Sequence, residues 1–174
     1  MIISVENLKK HIETSLPDEV LEAKLKSLEL LIRKHTNNNF QNRGFRFQCP
    51  IMTTKLFLTT PLLKVGDTVQ ISESIYNDGI YVIKAAENDF IELDKALIDE
   101  SEVLITKVEY PMDVVFGAVN MMKWDLENRD KVGIQSETIS RHSVTYFNMD
   151  GDNSSMGYPK SLLGFLTPYM KARF

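Results

Sequence analysis

Cysteine is nearly absent from the sequence: Cys49 is the single example in 174 residues. One cysteine cannot form an internal disulfide, which excludes a disulfide-stapled secreted scaffold and favours a reducing compartment. A catalytic thiol also needs a base and a group that orients the base, and nothing near Cys49 in the sequence indicates either. We therefore expect Cys49 to be a packed or semi-exposed thiol.

Excess basic charge is also lacking. The formal net charge is −4, whereas proteins that bind nucleic acid by neutralising phosphates need clustered lysine and arginine. The deficit is largest in residues 45–110, which contain six Lys or Arg and eleven Asp or Glu. This composition disfavours a DNA-binding surface in that region.

Long apolar runs are missing as well. No run approaches the ~20 residues that cross a bilayer, and the first residues, Met1 to Glu6, lack the basic and apolar regions of a signal peptide. We expect a soluble protein that is made in the cytoplasm and has no membrane partner.

The sequence shows no recognisable catalytic or metal-binding motif. Its three histidines, His11, His35 and His142, are isolated from one another, whereas metal sites need ligands at short, defined spacings. Asp150 begins a stretch like a calcium loop, but the sixth and twelfth positions are Ser155 and Ser161 instead of glycine and glutamate. We predict no enzymatic activity, no metal and no cofactor.

Hydrophobic residues make up 43% and charged residues 25% of the chain, which is enough to form a folded core. Helical periodicity is clearest in residues 17–36, where an apolar stripe ends at an asparagine run, Asn37 to Asn39. Pro111 begins a third helical pattern after a short first helix, and Pro159 begins a short fourth one that runs towards Pro168.

Between these helical patterns the periodicity becomes strand-like. Five short strands are predicted, over residues 55–60, 68–71, 80–83, 90–93 and 102–110, with a turn at Asn77-Asp78-Gly79. Their spacing favours a small antiparallel barrel. The predicted fold class is mainly α: a helical bundle of about four helices, residues 1–44 and 111–174, with an inserted β-barrel-like domain, residues 45–110.

The C-terminal segment is the main candidate for a binding site. Residues 159–174 contain Lys160, Lys171 and Arg173 and no acid, and aromatic residues, methionine and arginine are enriched at interface centres. We interpret Leu162, Leu163 and Leu166 as inward-facing. The residues predicted to reach a partner are Tyr169, Met170, Lys171, Arg173 and Phe174. The alternatives are that the segment caps the helical core, or that it is a frayed end.

One stretch carries a resemblance to a known family. It reads Gly133-Ile134-Gln135-Ser136-Glu137-Thr138-Ile139-Ser140-Arg141-His142-Ser143-Val144-Thr145-Tyr146, and it is followed by Tyr158-Pro159 with Leu162, Leu163, Leu166, Pro168 and Tyr169. With the preceding order of helices, this resembles the head–tail connector (adaptor, or head-completion) proteins of bacteriophages with long non-contractile tails. The resemblance covers residues 1–44 and 111–174, and leaves the β insertion unexplained.

The resemblance implies a structural virion protein that forms a ring, expected to be twelve-fold, beneath the portal. Genomic DNA would pass through the ring without sequence-specific binding, and a stopper or tail-completion protein would bind below it. The C-terminal segment would dock on the portal. Contacts with neighbouring subunits or neck proteins are predicted at Gln135, Ser136, Glu137, Thr138, Ile139 and Arg141. The protein would be located in the virion neck, and in the host cytoplasm during assembly.

Two other functions remain as alternatives from the sequence. The inserted β domain could form a small-ligand or nucleic-acid binding module, since small barrels often do so. An enzyme without a recognisable motif is the second alternative. DNA binding by residues 45–110 that weakens with salt would support the first of these.

Overall fold

The computed structural model describes residues 1–131, 136–139, 142–145 and 153–172. It divides into two compact units. The barrel unit comprises Met1 and Asn39–Tyr110, and the helical unit comprises Ile2–Asn38 and Pro111–Phe174.

The helices and strands follow one another along the chain in a helix–barrel–helix order. They are α1 (Val5–Lys9), α2 (Asp18–Thr36), β1 (Gln41–Met52), β2 (Lys55–Leu56), β3 (Thr68–Ser72), β4 (Gly79–Ala86), β5 (Ile91–Leu93), β6 (Glu100–Val108), α3 (Met112–Asn128), β7 (Ser136–Ile139), β8 (His142–Thr145), β9 (Ser154–Ser155) and β10 (Tyr158–Pro159). Short 3-10 helices occupy Arg129–Lys131, Lys160–Leu162 and Gly164–Tyr169.

Helix α2 forms where the sequence predicts it. Its stripe of leucine and isoleucine, from Leu21 to Ile32, is buried, and the acidic residues Asp18 and Glu19 lie in the first turn, where the helix dipole favours them. The helix ends because Asn37 adopts a left-handed conformation, with φ of 47°, which asparagine tolerates better than most residues.

Helix α3 begins immediately after Pro111, whose fixed φ suits a helix start. Its buried face contains Val114, Ala118, Met121 and Met122, and it also contains a charged residue, Asp125. A carboxylate on a buried helix face needs partners, which the C-terminal part of the chain and α2 supply.

The barrel unit is a closed sheet of strand order β1-β2-β5-β4-β3-β6. Every pairing is antiparallel, and β6 closes the barrel by pairing with both β1 and β3. Closure leaves no open edge on the barrel sheet, all of whose strands are described. The interior is filled by side chains that include Val69, Ile71, Ile83 and Ile105, each at most 1% exposed.

The predicted fold class is wrong. A six-stranded antiparallel barrel dominates the described structure, and only α2, with 19 residues, and α3, with 17, are substantial helices. The protein is therefore a mixed α/β protein and not a four-helix bundle. The first helix, α1, contains only five residues, which is about the length of one nucleating turn.

The predicted fourth helix is also absent. Two short 3-10 helices occupy this region, at Lys160–Leu162 and Gly164–Tyr169. Pro168 lacks the amide hydrogen that an α-helix would use there, and its ring would clash with the carbonyl of Gly164. Glycine within the segment further weakens α-helix formation. The apolar residues are thus buried by a tighter, irregular backbone.

None of the helices in the described ranges has the length and hydropathy that crossing a bilayer requires.

The C-terminal segment as the candidate binding site

The structure places three of the five predicted docking residues, while Arg173 and Phe174 lie outside the described residues. Met170 is 53% exposed, and Lys171 is exposed. Tyr169 is half-buried, and its hydroxyl donates to the carboxylate of Asp113 on α3, with both oxygens at 2.8 Å. This hydrogen bond raises the pKa of Tyr169 above its ordinary value.

The backbone of this segment is fixed to the end of α2. The Asn38 side chain donates to the Tyr169 carbonyl at 3.1 Å, and the Asn37 side chain donates to the Ala172 carbonyl at 2.7 Å. The Lys171 amide donates to the Thr36 carbonyl at 2.8 Å. The carbonyls of a last helical turn need such partners, so the segment serves as part of the C-terminal cap of α2.

Apolar packing holds the preceding residues on the helical unit. Leu163 and Leu166 are buried, at 7% and 0% exposure, and burial of a leucine side chain contributes about 1.5–3 kcal/mol. The ring of Phe165 lies against α3 at Gly117, where an added Cβ would come within 2.4 Å of the ring. Glycine at this helical position therefore makes room for Phe165.

An ion cluster around Asp125 ties together α2, α3 and the start of the segment. The carboxylate accepts a hydrogen bond from Lys24 Nζ of α2 at 2.7 Å and from Arg129 Nε at 2.6 Å. The Tyr158 hydroxyl lies 3.4 Å from the same carboxylate. The Arg129 guanidinium also donates to the Gly157 carbonyl at 3.0 Å. Arg129 therefore binds both the Asp125 side chain and the backbone at Gly157.

The electrostatics of this cluster favour the ionised carboxylate. Burial alone would raise the pKa of Asp125, but hydrogen bonds and positive charge from Lys24 and Arg129 outweigh burial and lower the pKa below its ordinary value. Burial and the Asp125 charge raise the pKa of the Tyr158 phenol. The rings of Trp124 and Tyr158 lie 5.5 Å apart, and the Arg129 guanidinium lies 4.9 Å from the Tyr158 ring.

Two open clefts of moderate size lie among the described residues of the helical unit. One, of about 390 Å³, is lined by His11, Ile12, Glu13, Lys123, Leu126 and Glu127. The other, of about 370 Å³, lies beside the Asp125 cluster and includes Lys24 and Arg129 in its wall. Both cations are paired with the single carboxylate of Asp125, so the charged residues that line the second cleft sum to one positive charge.

The predicted neck contacts are only partly within the described residues. Ser136, Glu137, Thr138 and Ile139 form β7, which pairs antiparallel with β8 from Ser136↔Thr145 to Ile139↔His142. Gln135 and Arg141 lie outside the described residues. The stretch that carries the family resemblance therefore contains a β-hairpin pairing, and the binding role of its side chains stays a prediction.

Cys49 lacks the environment of a reactive thiol. Cys49 lies in the barrel core at 4% exposure, and burial raises the pKa of its thiol to about 11, which disfavours the reactive thiolate. Among the described residues, no three His, Cys, Asp or Glu side chains are grouped so that they could hold a metal ion.

Sequence reasoning missed the Asp125 cluster. Two signals pointed to it: Asp125 lies three residues after the buried Met122, and Arg129 lies four residues after Asp125, the spacing of helical ion pairs. The contact with Lys24 joins residues 101 positions apart, and no local pattern indicates it.

Comparisons with known proteins add no assignment: no protein-family model matches the chain, and no curated protein matches it.

Proposed function

We propose that the protein is a structural adaptor of a bacteriophage neck. In this proposal, copies assemble as a ring between the portal and the stopper or tail-completion protein, and DNA passes through. The C-terminal segment binds the portal. The sequence resemblance over residues 133–146 and 158–169 is the basis of the proposal, and the following features support it.

The observation that carries the proposal is that the C-terminal segment has a fixed backbone and exposed side chains at Met170 and Lys171. Its backbone is fixed to α2 through Asn37, Asn38 and Thr36, while Met170 and Lys171 remain exposed. An exposed methionine beside a cation, on a backbone that is already ordered, binds a partner at low conformational cost. In a ring, several weak contacts of this kind would give strong overall binding, because the first contact raises the effective concentration of the remaining segments at the portal.

The barrel core weighs against the alternative of a small-ligand module. Its interior is filled by side chains such as Leu56 and Ile91, at 0% and 2% exposure, whereas ligand sites in barrels need a cavity. The acidic balance of residues 45–110 also suits a protein that DNA must slide past without being gripped.

Co-sedimentation with the portal protein of the same phage tests the docking role. Deletion of residues 167–174 would remove the candidate contacts, but it would also remove the cap of α2, so a second variant is needed. We expect Met170→Ser combined with Lys171→Glu to weaken portal binding about ten-fold, which corresponds to about 1.4 kcal/mol, because the two changes remove an exposed apolar side chain and reverse a charge.

The matched control is Lys160→Glu, which reverses an exposed charge in the same segment outside the predicted contact. Thermal unfolding should be the same for the wild type and both variants. Undiminished portal binding by the Met170 and Lys171 variant would contradict the docking role.

A further inference from the structure

Three loops of the barrel unit meet at one end of the barrel. In a closed sheet of alternating antiparallel strands, β1, β3 and β5 run in the same direction, so the loops that follow them lie at the same end. Hydrogen bonds connect these loops: Thr54 N donates to Asp99 Oδ1 at 3.1 Å, and Ile98 N donates to Asn77 Oδ1 at 2.8 Å. We call this end, residues 52–54, 73–78 and 97–100, the barrel tip.

Large apolar side chains are exposed at the barrel tip. Ile75 is 82% exposed, Tyr76 65%, Ile98 55% and Met52 46%. Single exposed apolar residues are ordinary, but a group of them on adjoining loops is typical of an interaction surface. Tyrosine and isoleucine provide most of this surface.

Several polar groups of the tip are hydrogen-bonded to one another. The Glu100 carboxylate accepts hydrogen bonds from Ile75 N at 2.7 Å and Asn77 Nδ2 at 2.9 Å, and also from Ser74 Oγ. Ser74 Oγ accepts from Asn77 N at 2.7 Å. The loop is therefore held in one conformation, which lowers the entropy that binding would cost.

The backbone of the tip is strained at three residues. Thr53, Thr54 and Glu73 have φ of 50°, 63° and 61°, in the left-handed region that β-branched residues such as threonine rarely adopt. Strain of this kind clusters at binding and switch sites. The strained backbone therefore supports a binding function for the barrel tip.

The charge of the tip indicates the chemistry of its partner. The tip contains Glu73, Asp78, Asp99 and Glu100 and no lysine or arginine, so anionic membranes and nucleic acid are disfavoured. A guanidinium group suits both parts of such a surface, because arginine pairs with carboxylates and stacks on tyrosine rings.

The same barrel carries a matching basic surface towards its other end. In β1 the pairing with β6 is interrupted between Asn42 and Arg46, near the beginning of the strand. Arg43 and Arg46 are exposed, the Phe45 ring is half-buried between them in sequence, and neither arginine forms an ion pair within the described part of the chain. We call residues 43–46 the basic bulge.

We propose that the barrel tip of one copy binds the basic bulge of a second copy, with Tyr76 and Ile75 against Arg43 and Arg46. Contact between two different surfaces of identical subunits propagates from copy to copy and closes into a ring when the rotation allows. This inference rests on the ring assembly proposed above, and it gives the barrel a role that the resemblance does not explain.

Photocrosslinking of the purified full-length chain tests the contact directly. With p-benzoylphenylalanine in place of Tyr76, we expect dimer crosslinks that map by mass spectrometry to residues 43–46 of the second copy. The same group in place of Leu30, which is 57% exposed on α2 outside the barrel, should not give these crosslinks. Absence of dimer crosslinks from position 76, or crosslinks to another region, would overturn the proposal.

Charge reversal tests the pairing of the two surfaces. Arg46→Glu should lower the self-association constant in sedimentation velocity about ten-fold, as should Ile75→Ser with Tyr76→Ser. Adding Glu102→Arg beside the tip should partly restore association to Arg46→Glu. The matched control, Val20→Ser with Leu30→Ser, removes exposed apolar surface from α2, outside the barrel, and should leave association unchanged. No loss of association in the Arg46 and tip variants would contradict the proposal, as would binding of the tip to neutral vesicles without dimer crosslinks.

Electron microscopy separates this inference from the proposed function. If the tip variants still form rings on the portal, the ring uses another contact and the inference fails while the adaptor function stands. If the wild-type chain forms no rings and does not bind the portal, the proposed function itself fails.

Discussion

Substitution of Gly117 by alanine tests how tightly the C-terminal segment packs against α3. Glycine-to-alanine changes in a helix interior normally stabilise by about 1 kcal/mol. Here the new Cβ would come within 2.4 Å of the Phe165 ring, and overpacking costs roughly 1–3 kcal/mol. We expect Gly117→Ala to lower the free energy of unfolding by about 1 kcal/mol, measured by urea denaturation.

Gly164→Ala is the control, because an added Cβ there meets no atom within 4 Å. Its effect should stay within about 0.5 kcal/mol. Replacing Phe165 by leucine together with Gly117→Ala should restore part of the lost stability. Stabilisation of Gly117→Ala by about 1 kcal/mol, the ordinary effect of this change in a helix, would show that the ring does not pack against α3.

The charge of Asp125 is expected to stabilise the helical unit through Lys24 and Arg129. Its carboxyl is 8% exposed, while the Lys24 and Arg129 side chains are 35% and 38% exposed. Loss of one partner of a fully buried ion pair costs about 3–5 kcal/mol. Water screens both cations here, so the loss should be smaller. We expect Asp125→Asn to lower the free energy of unfolding by about 2 kcal/mol at neutral pH.

The pH dependence of this loss follows from the lowered pKa of Asp125. The unfolded carboxyl, with an ordinary pKa of 3.8, takes up its proton first as pH falls. The stabilisation is therefore complete above that value and is lost as pH falls through the lower folded pKa. Asp125→Asn should flatten this part of the stability curve, whereas Glu127→Gln, exposed on the same helix, should leave it unchanged.

The conformation of the Ser74–Asp78 loop is expected to depend on the carboxylate of Glu100. Hydrogen bonds from Ser74, with others from Asn77, Ile75 and Tyr76, lower the pKa of Glu100. We expect Glu100→Ala to speed amide hydrogen exchange at Ile75, because its amide loses its acceptor. The effect at Tyr76 should be smaller, because that amide also donates to Ser74 Oγ at 3.3 Å.

Exchange at Ile105, in the middle of β6, should stay slow in this variant, since its barrel pairing is intact. Glu102→Ala, at an exposed neighbouring position, should leave the loop amides unaffected. Unchanged exchange at Ile75 in Glu100→Ala would mean that the loop keeps its shape without the carboxylate.

Local patterns located most of the described elements, and the exceptions have physical causes. The strands at residues 68–71 and 80–83 are present as β3 and β4. Residues 68–71 alternate between polar and apolar side chains, and residues 80–83 are a run of β-branched and aromatic residues, which favour strands. The longest strand, β1, was not predicted. Bulges at Asn42/Arg46 and Cys49/Ile51 interrupt its alternation, and Pro50 is atypical of a strand outside a bulge.

The candidate site was less accessible to sequence reasoning. The buried face of α3 contains Met121 and Asp125 as well as Ala118 and Met122. Helical periodicity fixes such a face only to within about one position, because 3.6 residues per turn do not repeat evenly. The carboxylate at its centre was therefore not recognised as buried.

At the scale of the whole molecule, charge predicts how the chain behaves towards DNA. With a net charge of −4, we expect no measurable binding to duplex DNA in fluorescence anisotropy at about 0.15 M salt, where only clustered cations bind. Glu73→Lys combined with Glu102→Lys should raise the affinity. Wild-type binding that weakens steeply with salt would favour the nucleic-acid alternative.

The fold class was mispredicted because helical residues were overcounted. Apolar residues of the closing segment, such as Leu163 and Leu166, suggested an α-helix, yet Gly164 and Pro168 prevent one. Strand β1 was assigned to no element at all, although it supplies 12 residues of the barrel. Composition and periodicity thus identified the two long helices, while the balance between helix and sheet depended on tertiary pairing.

Closure of the barrel also bears on how such a chain could evolve or be engineered. Gln41, the first residue of β1, is paired directly with Val108, the last residue of β6, and paired Cα atoms in antiparallel sheets lie only about 4.5–5.5 Å apart. A peptide of two or three residues could therefore replace the whole barrel without changing where the chain leaves α2 and resumes before α3. One deletion or exchange of a gene segment would be enough to remove the barrel, or to graft another domain in its place.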